Sequence, residues 1–324
     1  EHFYDSLVAF GPDLELVPQL ALNWQNPTDT VWRIRLRSGV VFHDGRPFGA
    51  EDVAASILRA RTLPGSRIAY HLEGVVQVRT PDPLTVEIVT AYPSPVLLNR
   101  LAFVAIVPRN SPATPITKPV GTGPYRFVSG EPGGTIEGER FDASWWPRPA
   151  WKSVRFVPFP DAAGRAEAVP SHAADIVSRF PLDRIEQAAG RRDLRLVPTR
   201  GLGVALLGFS LRPGTPFEDL RVRRAVAAAV DRPHLLPVAL RPYALPIDQF
   251  VPVGVFGYRP GRTPPRSDLA RARALLAEAG YPEGFSTPLA FAHTLADVGR
   301  SLAVQLREAG IRVEPEVLSQ TELY

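Results

Sequence analysis

Apolar and polar positions alternate most regularly at Trp32-Arg33-Ile34-Arg35-Leu36-Arg37, where period two predicts a strand with one buried face. Ser38-Gly39 turns the chain, Val40-Val41-Phe42 predicts a second strand, and His43-Asp44-Gly45 reads as a tight turn with glycine at its left-handed position. A helix follows. Gly49 serves as N-cap, Glu51 and Asp52 sit at the positive end, and Val53, Ile57 and Leu58 form the apolar stripe. Further strands are predicted at 75–78, 85–89, 103–107, 125–128 and 154–159, separated by proline-rich punctuation. Asp161 predicts the cap of a short helix reaching Val169, and 182–189 predicts another, closed by Gly190.

The last third is the most helical. Asp219 caps a helix over 220–230, Ser267 one over 268–279, and 295–309 carries Leu295, Val298, Leu302 and Leu306 on one face. Gly280 and Gly310 stand just past helix ends, where a left-handed residue closes the last turn. Ile311-Arg312-Val313 then opens a strand, a step that fits a mixed α/β lobe.

With 324 residues and 35.4 kDa, the chain suits two or three lobes. A hydrophobic fraction of 45%, 22% charged residues and a mean hydropathy of −0.04 exclude a disordered or fibrous chain. No apolar run reaches the ~18–20 residues of a membrane helix. Two lysines, Lys118 and Lys152, leave 35 of the 37 basic residues as arginine. The net charge is only +4 and the arginines are scattered, so this bias reflects GC-rich codons, and no nucleic-acid partner is expected. The absence of cysteine removes disulfides, thiolate zinc sites and thiol catalysis together.

Candidate chemistry is sparse. The chain has no His-Glu-x-x-His, no Gly-x-Ser-x-Gly and no phosphate-binding Gly-x-x-x-x-Gly-Lys run. Gly201-Leu202-Gly203 opens like a dinucleotide fingerprint, but Leu206 stands where its third glycine belongs. The six histidines never fall within five residues of one another, so no metal is expected; His43-Asp44 reads as a strand end and a turn cap. Tyr70, Trp145, Trp146, Trp151, Phe180 and Tyr243 lie in loops or at element edges, positions that suit either a core or a ligand cleft.

Several segments together resemble one family. They are Leu16-Val17-Pro18-Gln19-Leu20-Ala21 with Trp24; 32–47, with its Phe42-His43-Asp44-Gly45; Ala50-Glu51-Asp52-Val53; and Gly121-Thr122-Gly123-Pro124-Tyr125. Then come Ala174-Asp175-Ile176, 216–226, Val230-Asp231-Arg232 and 268–282, all in family order. The chain resembles the family 5 extracellular solute-binding proteins of peptide, dipeptide and nickel ABC transporters. That resemblance implies a periplasmic-binding-protein-like two-lobed α/β fold of type II, with an inserted domain over 7–108, the first lobe over 109–205 and an incomplete second lobe over 206–324. It implies a strand over 201–208 crossing between lobes, and a chain truncated at both ends relative to the family.

The implied function is solute capture for an importer, with no catalysis and no cofactor. The partners implied are a peptide or other small-molecule ligand and membrane permease subunits. A periplasmic or extracellular monomer, with lipoprotein anchoring, is expected. Placement against the family segments puts ligand contacts at Ile68 and Tyr70, at Ser178, Arg179 and Phe180, and at Leu206, Leu207 and Gly208. The ligand stays open among a di- or oligopeptide, a nickel chelate, an oligosaccharide and an opine-like acid; a sensor built on the same fold is the alternative function. There are departures: Phe209-Ser210 replaces the usual Phe-Asn, and His172 stands where the family places glycine ahead of its acid. An incomplete second lobe is expected to expose Leu275, Leu276, Leu302 and Leu306.

Overall fold

Two short strands, β1 (Val8–Phe10) and β2 (Leu16–Pro18), pair antiparallel at the start of the chain. β3 (Ala21–Thr28), β4 (Val31–Leu36), β5 (Val75–Asp82) and β6 (Thr85–Thr90) then build an antiparallel sheet in the order β3-β4-β6-β5. The period-two pattern of β4 does what it predicts: Ile34 and Leu36 are buried, while Arg33 and Arg35 face out to Glu87 and Asp82. Helix α1 (Ala50–Thr62) packs on this sheet, with Val53 and Ile57 in the core. Gly49 is its N-cap, and Asp52 reaches back to accept from the Gly49 N–H at 2.9 Å. Leu58 lies outside the stripe assigned to it, 58% exposed.

The structure, a computed structural model, describes residues 2–181, 184–198, 201–235, 243–255, 257–292 and 295–318. They fall into two compact units, Glu1–Phe159 and Pro160–Tyr324. The first unit is completed by α2 (Leu97–Leu101) and by the antiparallel sheet β7 (Tyr125–Gly130), β8 (Ile136–Arg140) and β9 (Ser153–Phe156). Its core collects Leu7, Ile34, Phe42, Ile57, Ile88 and Leu101, side chains each worth roughly 1.5–3 kcal/mol on burial.

Two predicted strands of this unit are absent. Val40–Phe42 makes only the isolated bridge Val41 to Pro47, because the His43-Asp44-Gly45 turn folds it straight back on itself. Residues 103–107 carry buried Val104 and Ile106, but the Ile106 N–H donates to the Asp5 carbonyl and not to a strand ladder.

The second unit holds α3 (Ala162–Glu167), α4 (Ile185–Ala189), α5 (Leu220–Ala229), α6 (Leu269–Glu278) and a β10–α7–β11 crossover. In the crossover, β10 (Phe285–Ala292) and β11 (Ile311–Leu318) pair in parallel and α7 (Ala296–Glu308) joins them. Asp219 caps α5 by accepting from the Arg221 N–H at 2.7 Å. Asp268, and not Ser267, caps α6, since its carboxylate accepts the Arg271 N–H at 2.9 Å. Gly280 and Gly310 adopt φ of 90° and 99°, the left-handed conformation that ends each helix.

Leu276, Leu302 and Leu306 are buried with Val222, Val226 and Ile311, and Leu275 is half-buried. The expectation that these leucines stand exposed is overturned: α5, α6, α7 and the strand pair already cover one another. The strand expected over 201–208 is not formed. Among the described residues this segment pairs with no strand, and Leu206 is left 61% exposed. The helix start predicted at 182 and 183 lies outside the described residues.

Candidate functional site

Asp5 is 2% exposed and accepts three hydrogen bonds. Thr122 Oγ1 donates to its Oδ2 at 2.7 Å and Trp145 Nε1 to the same oxygen at 2.9 Å, while Trp146 Nε1 donates to Oδ1 at 2.8 Å. The Arg37 guanidinium lies over the Trp145 ring, 4.3 Å from its centroid. Both tryptophans thus spend their polar edge on a buried carboxylate. The Gly121-Thr122-Gly123 motif has an equally local cause. A Cβ at Gly121 would stand 2.0 Å from the Phe3 carbonyl oxygen, and one at Gly123 would stand 2.6 Å from that of His2. Gly123 and Tyr125 donate their N–H groups to Phe3 and His2, which draws the motif tight against the start of the chain.

His43 is absorbed by the same structure. The Gly121 N–H donates to its Nδ1 at 3.2 Å, so the ring proton sits on Nε2 and is donated to the Gly123 carbonyl at 3.0 Å. Burial holds its pKa below the ordinary value, against smaller opposing effects of the Gly123 hydrogen bond and of Asp5 and Asp44. Asp44 accepts from the Arg46 N–H and side chain, a turn cap as the sequence suggests. Among the described residues no group of three or more His, Cys, Asp or Glu side chains could hold a metal ion. No described helix is long and apolar enough to cross a membrane.

A different surface of the first unit is available to a ligand. The 3-10 turn Ala69–Leu72 is anchored by Leu72, 1% exposed, and by Ile68, half-buried against the core. Tyr70 remains outside, 64% exposed, with its ring centroid 4.0 Å from that of His71. His71 stacks on Phe103 at 4.5 Å and an interplanar angle of 11°, and Phe103 meets Phe10 at 5.9 Å. α2 sets this up: Leu97, Leu98 and Leu101 fill the core, and the chain leaves the helix with Phe103 on the surface. Beside Tyr70 lies an open depression of about 380 Å³, lined also by Arg61, Ala69, Leu72, Glu73 and Gly74.

Of the residues singled out by sequence, only Ile68 and Tyr70 belong to this surface. Ser178 and Arg179 are exposed and Phe180 is half-buried in the second unit; Arg179 has a φ of 54°, and its carbonyl accepts from Arg165. Leu206, Leu207 and Gly208 are exposed in the irregular segment of that unit. Sequence reading missed Phe10, His71 and Phe103. No spacing signal joins rings at positions 10, 71 and 103; only the fold does.

The chain aligns along 96% of its length with the glutathione-binding protein GsiB of Pectobacterium atrosepticum at 30% identity and with that of Escherichia coli at 28%. It spans 63% of the length of these relatives, less than two thirds. Among solved structures, AgaA of A. tumefaciens R10 in complex with agropinic acid is 27% identical, with a TM-score of 0.72 over 98% of this chain and 67% of that one. DppA of Helicobacter pylori, in complex with the peptide STSA, is 25% identical, with a TM-score of 0.77 over 99% and 69%. NikA of Brucella suis, at 24% identity, shares the fold with a TM-score of 0.86 over 100% and 70%. The mixed α/β fold is therefore that of the periplasmic binding proteins. The model of the bacterial extracellular solute-binding proteins, family 5, matches residues 15–324, and the chain belongs to that family.

Proposed function

We propose that this chain captures a peptide for an ABC importer and passes it to membrane permease subunits outside the cytoplasm. The observation that carries the reading is the surface at Tyr70, where exposed rings border a depression with Arg61 and Glu73 at its wall. Such a site binds and orients without reacting. The family match and relatives named for binding glutathione, itself a tripeptide, support a peptide over a metal chelate.

The contacts proposed, from position against the family segments, are Ile68, Tyr70, Ser178, Arg179, Phe180, Leu206, Leu207 and Gly208, and of these Tyr70 lines the depression. Ligand would be gained and lost by reversible desolvation of these groups, with no bond made or broken. Uptake of labelled di- and tripeptides by cells with and without the protein tests the reading. Loss of peptide import in its absence is expected. Undiminished peptide import, with loss of nickel or opine import in its place, overturns it.

A further inference from the structure

Three large rings of the first unit stay in water although apolar area gains from burial: Tyr70 is 64% exposed, Phe103 53% and Phe10 37%. They are not scattered. Centroid distances of 4.0, 4.5 and 5.9 Å run from Tyr70 through His71 and Phe103 to Phe10, in one continuous aromatic shelf. Core packing does not explain them, because neighbouring Leu72 and Leu101 already take the buried positions. Tyr70 closes one end of the shelf and also lines the depression that holds Arg61 and Glu73. Resting on the proposed capture of a peptide, we propose that this shelf is the subsite for an aromatic side chain of the ligand, with Arg61 and Glu73 receiving the charged termini of a short peptide.

Each part of the surface fits that ligand. His71 is held between Tyr70 at 4.0 Å and Phe103 at 4.5 Å, so the ring surface left open to a further ring is that of Tyr70 and Phe103, 64% and 53% exposed. Burial, and then the nearby Arg100, hold the His71 pKa below its ordinary value, which keeps its ring uncharged at neutral pH. The shelf is therefore apolar where it meets an uncharged ring. Arg61 and Glu73 form no ion pair among the described residues, so a carboxylate and an ammonium group on the ligand meet free partners of opposite sign. The depression of about 380 Å³ lies at the small end of ligand sites (~300–1,000 Å³), in keeping with a short peptide and not a long chain.

The test compares the tripeptides Ala-Phe-Ala and Ala-Leu-Ala by calorimetric titration of the protein and of its Phe103→Ala and Tyr70→Ala variants. Both residues are more than half exposed, so truncation leaves the core in place, and melting curves run alongside verify this. The wild type should favour the phenylalanine peptide by about tenfold, the scale of one aromatic stacking contact. Each variant should lose most of that preference. Equal wild-type affinities, or a preference that survives both truncations, overturn the aromatic subsite and leave peptide capture standing. No saturable binding of either peptide by the wild type overturns the peptide reading itself.

Discussion

Replacing Asp5 by asparagine keeps the side-chain shape and removes one acceptor atom. In either amide orientation one indole N–H then faces Nδ2: Trp146 on the Oδ1 side, or Trp145 on the Oδ2 side, where the Thr122 hydroxyl can rotate to accept. The variant loses a charge-assisted bond worth about 1.5–3 kcal/mol and orphans a buried donor at about 1–3 kcal/mol. A neutral amide is cheaper to bury than a carboxylate, and this offsets part of the loss. A net destabilisation of about 2–4 kcal/mol follows.

All five tryptophans (Trp24, Trp32, Trp145, Trp146 and Trp151) lie in the first unit, so urea unfolding followed by tryptophan fluorescence reads this unit directly. Trp146→Phe alone should cost about 1–2 kcal/mol, since it removes the donor that Oδ1 has among the described residues. In the double variant the amide oxygen turns to Trp145 and Nδ2 faces a phenyl ring. The unpaired indole N–H of the single variant is gone, although the Nδ2 donors still lack an acceptor, so the two changes should couple by about 1 kcal/mol. Additivity within ~0.3 kcal/mol would show that the carboxylate does not organise the two indoles, and the account of Trp145-Trp146 would fall.

The remaining predictions concern the same unit. Burial holds the folded His43 pKa below the unfolded value of about 6.5, and a proton on Nδ1 would also cost the bond from the Gly121 N–H. A depressed histidine pKa means stability is full above pH ~6.5 and lost as the pH falls through it toward the folded value. Asp5, Asp44 and Arg126 are the charges that act on the ring. Urea midpoints between pH 8 and 5 should show this loss in the wild type and less of it in His43→Asn; identical slopes refute the assignment. Gly121→Ala sets a Cβ 2.0 Å from the Phe3 oxygen and should destabilise by about 3 kcal/mol. Gly45→Ala meets no atom within 4 Å but needs a φ of 85°, so it should cost only about 1–2 kcal/mol; the reverse order in thermal melts would contradict the close-approach argument.

Much of the helical structure was legible because its signals are local. Asp52 at α1, Asp219 at α5 and the left-handed Gly280 and Gly310 each act within one turn of their own position. The missed strands lack such signals. β3 is almost wholly exposed after Ala21, so it shows no alternation, and β10 carries Pro288 within it. Residues 103–107 alternate like a strand although their backbone is spent on Asp5, about a hundred positions away in sequence. The candidate site divides in the same way. Ile68 and Tyr70 were named by position within a family pattern, whereas the stack that gives Tyr70 its neighbours joins positions 10, 71 and 103, which no short-range pattern links.

Equilibrium dialysis of the protein against radiolabelled tripeptides, with chromatography of what is recovered, tests whether peptide is captured without turnover. Saturable binding to one site per molecule and recovery of the peptide intact after prolonged incubation are expected. Hydrolysis that survives repurification, or the absence of saturable binding to any tripeptide, would contradict capture without turnover.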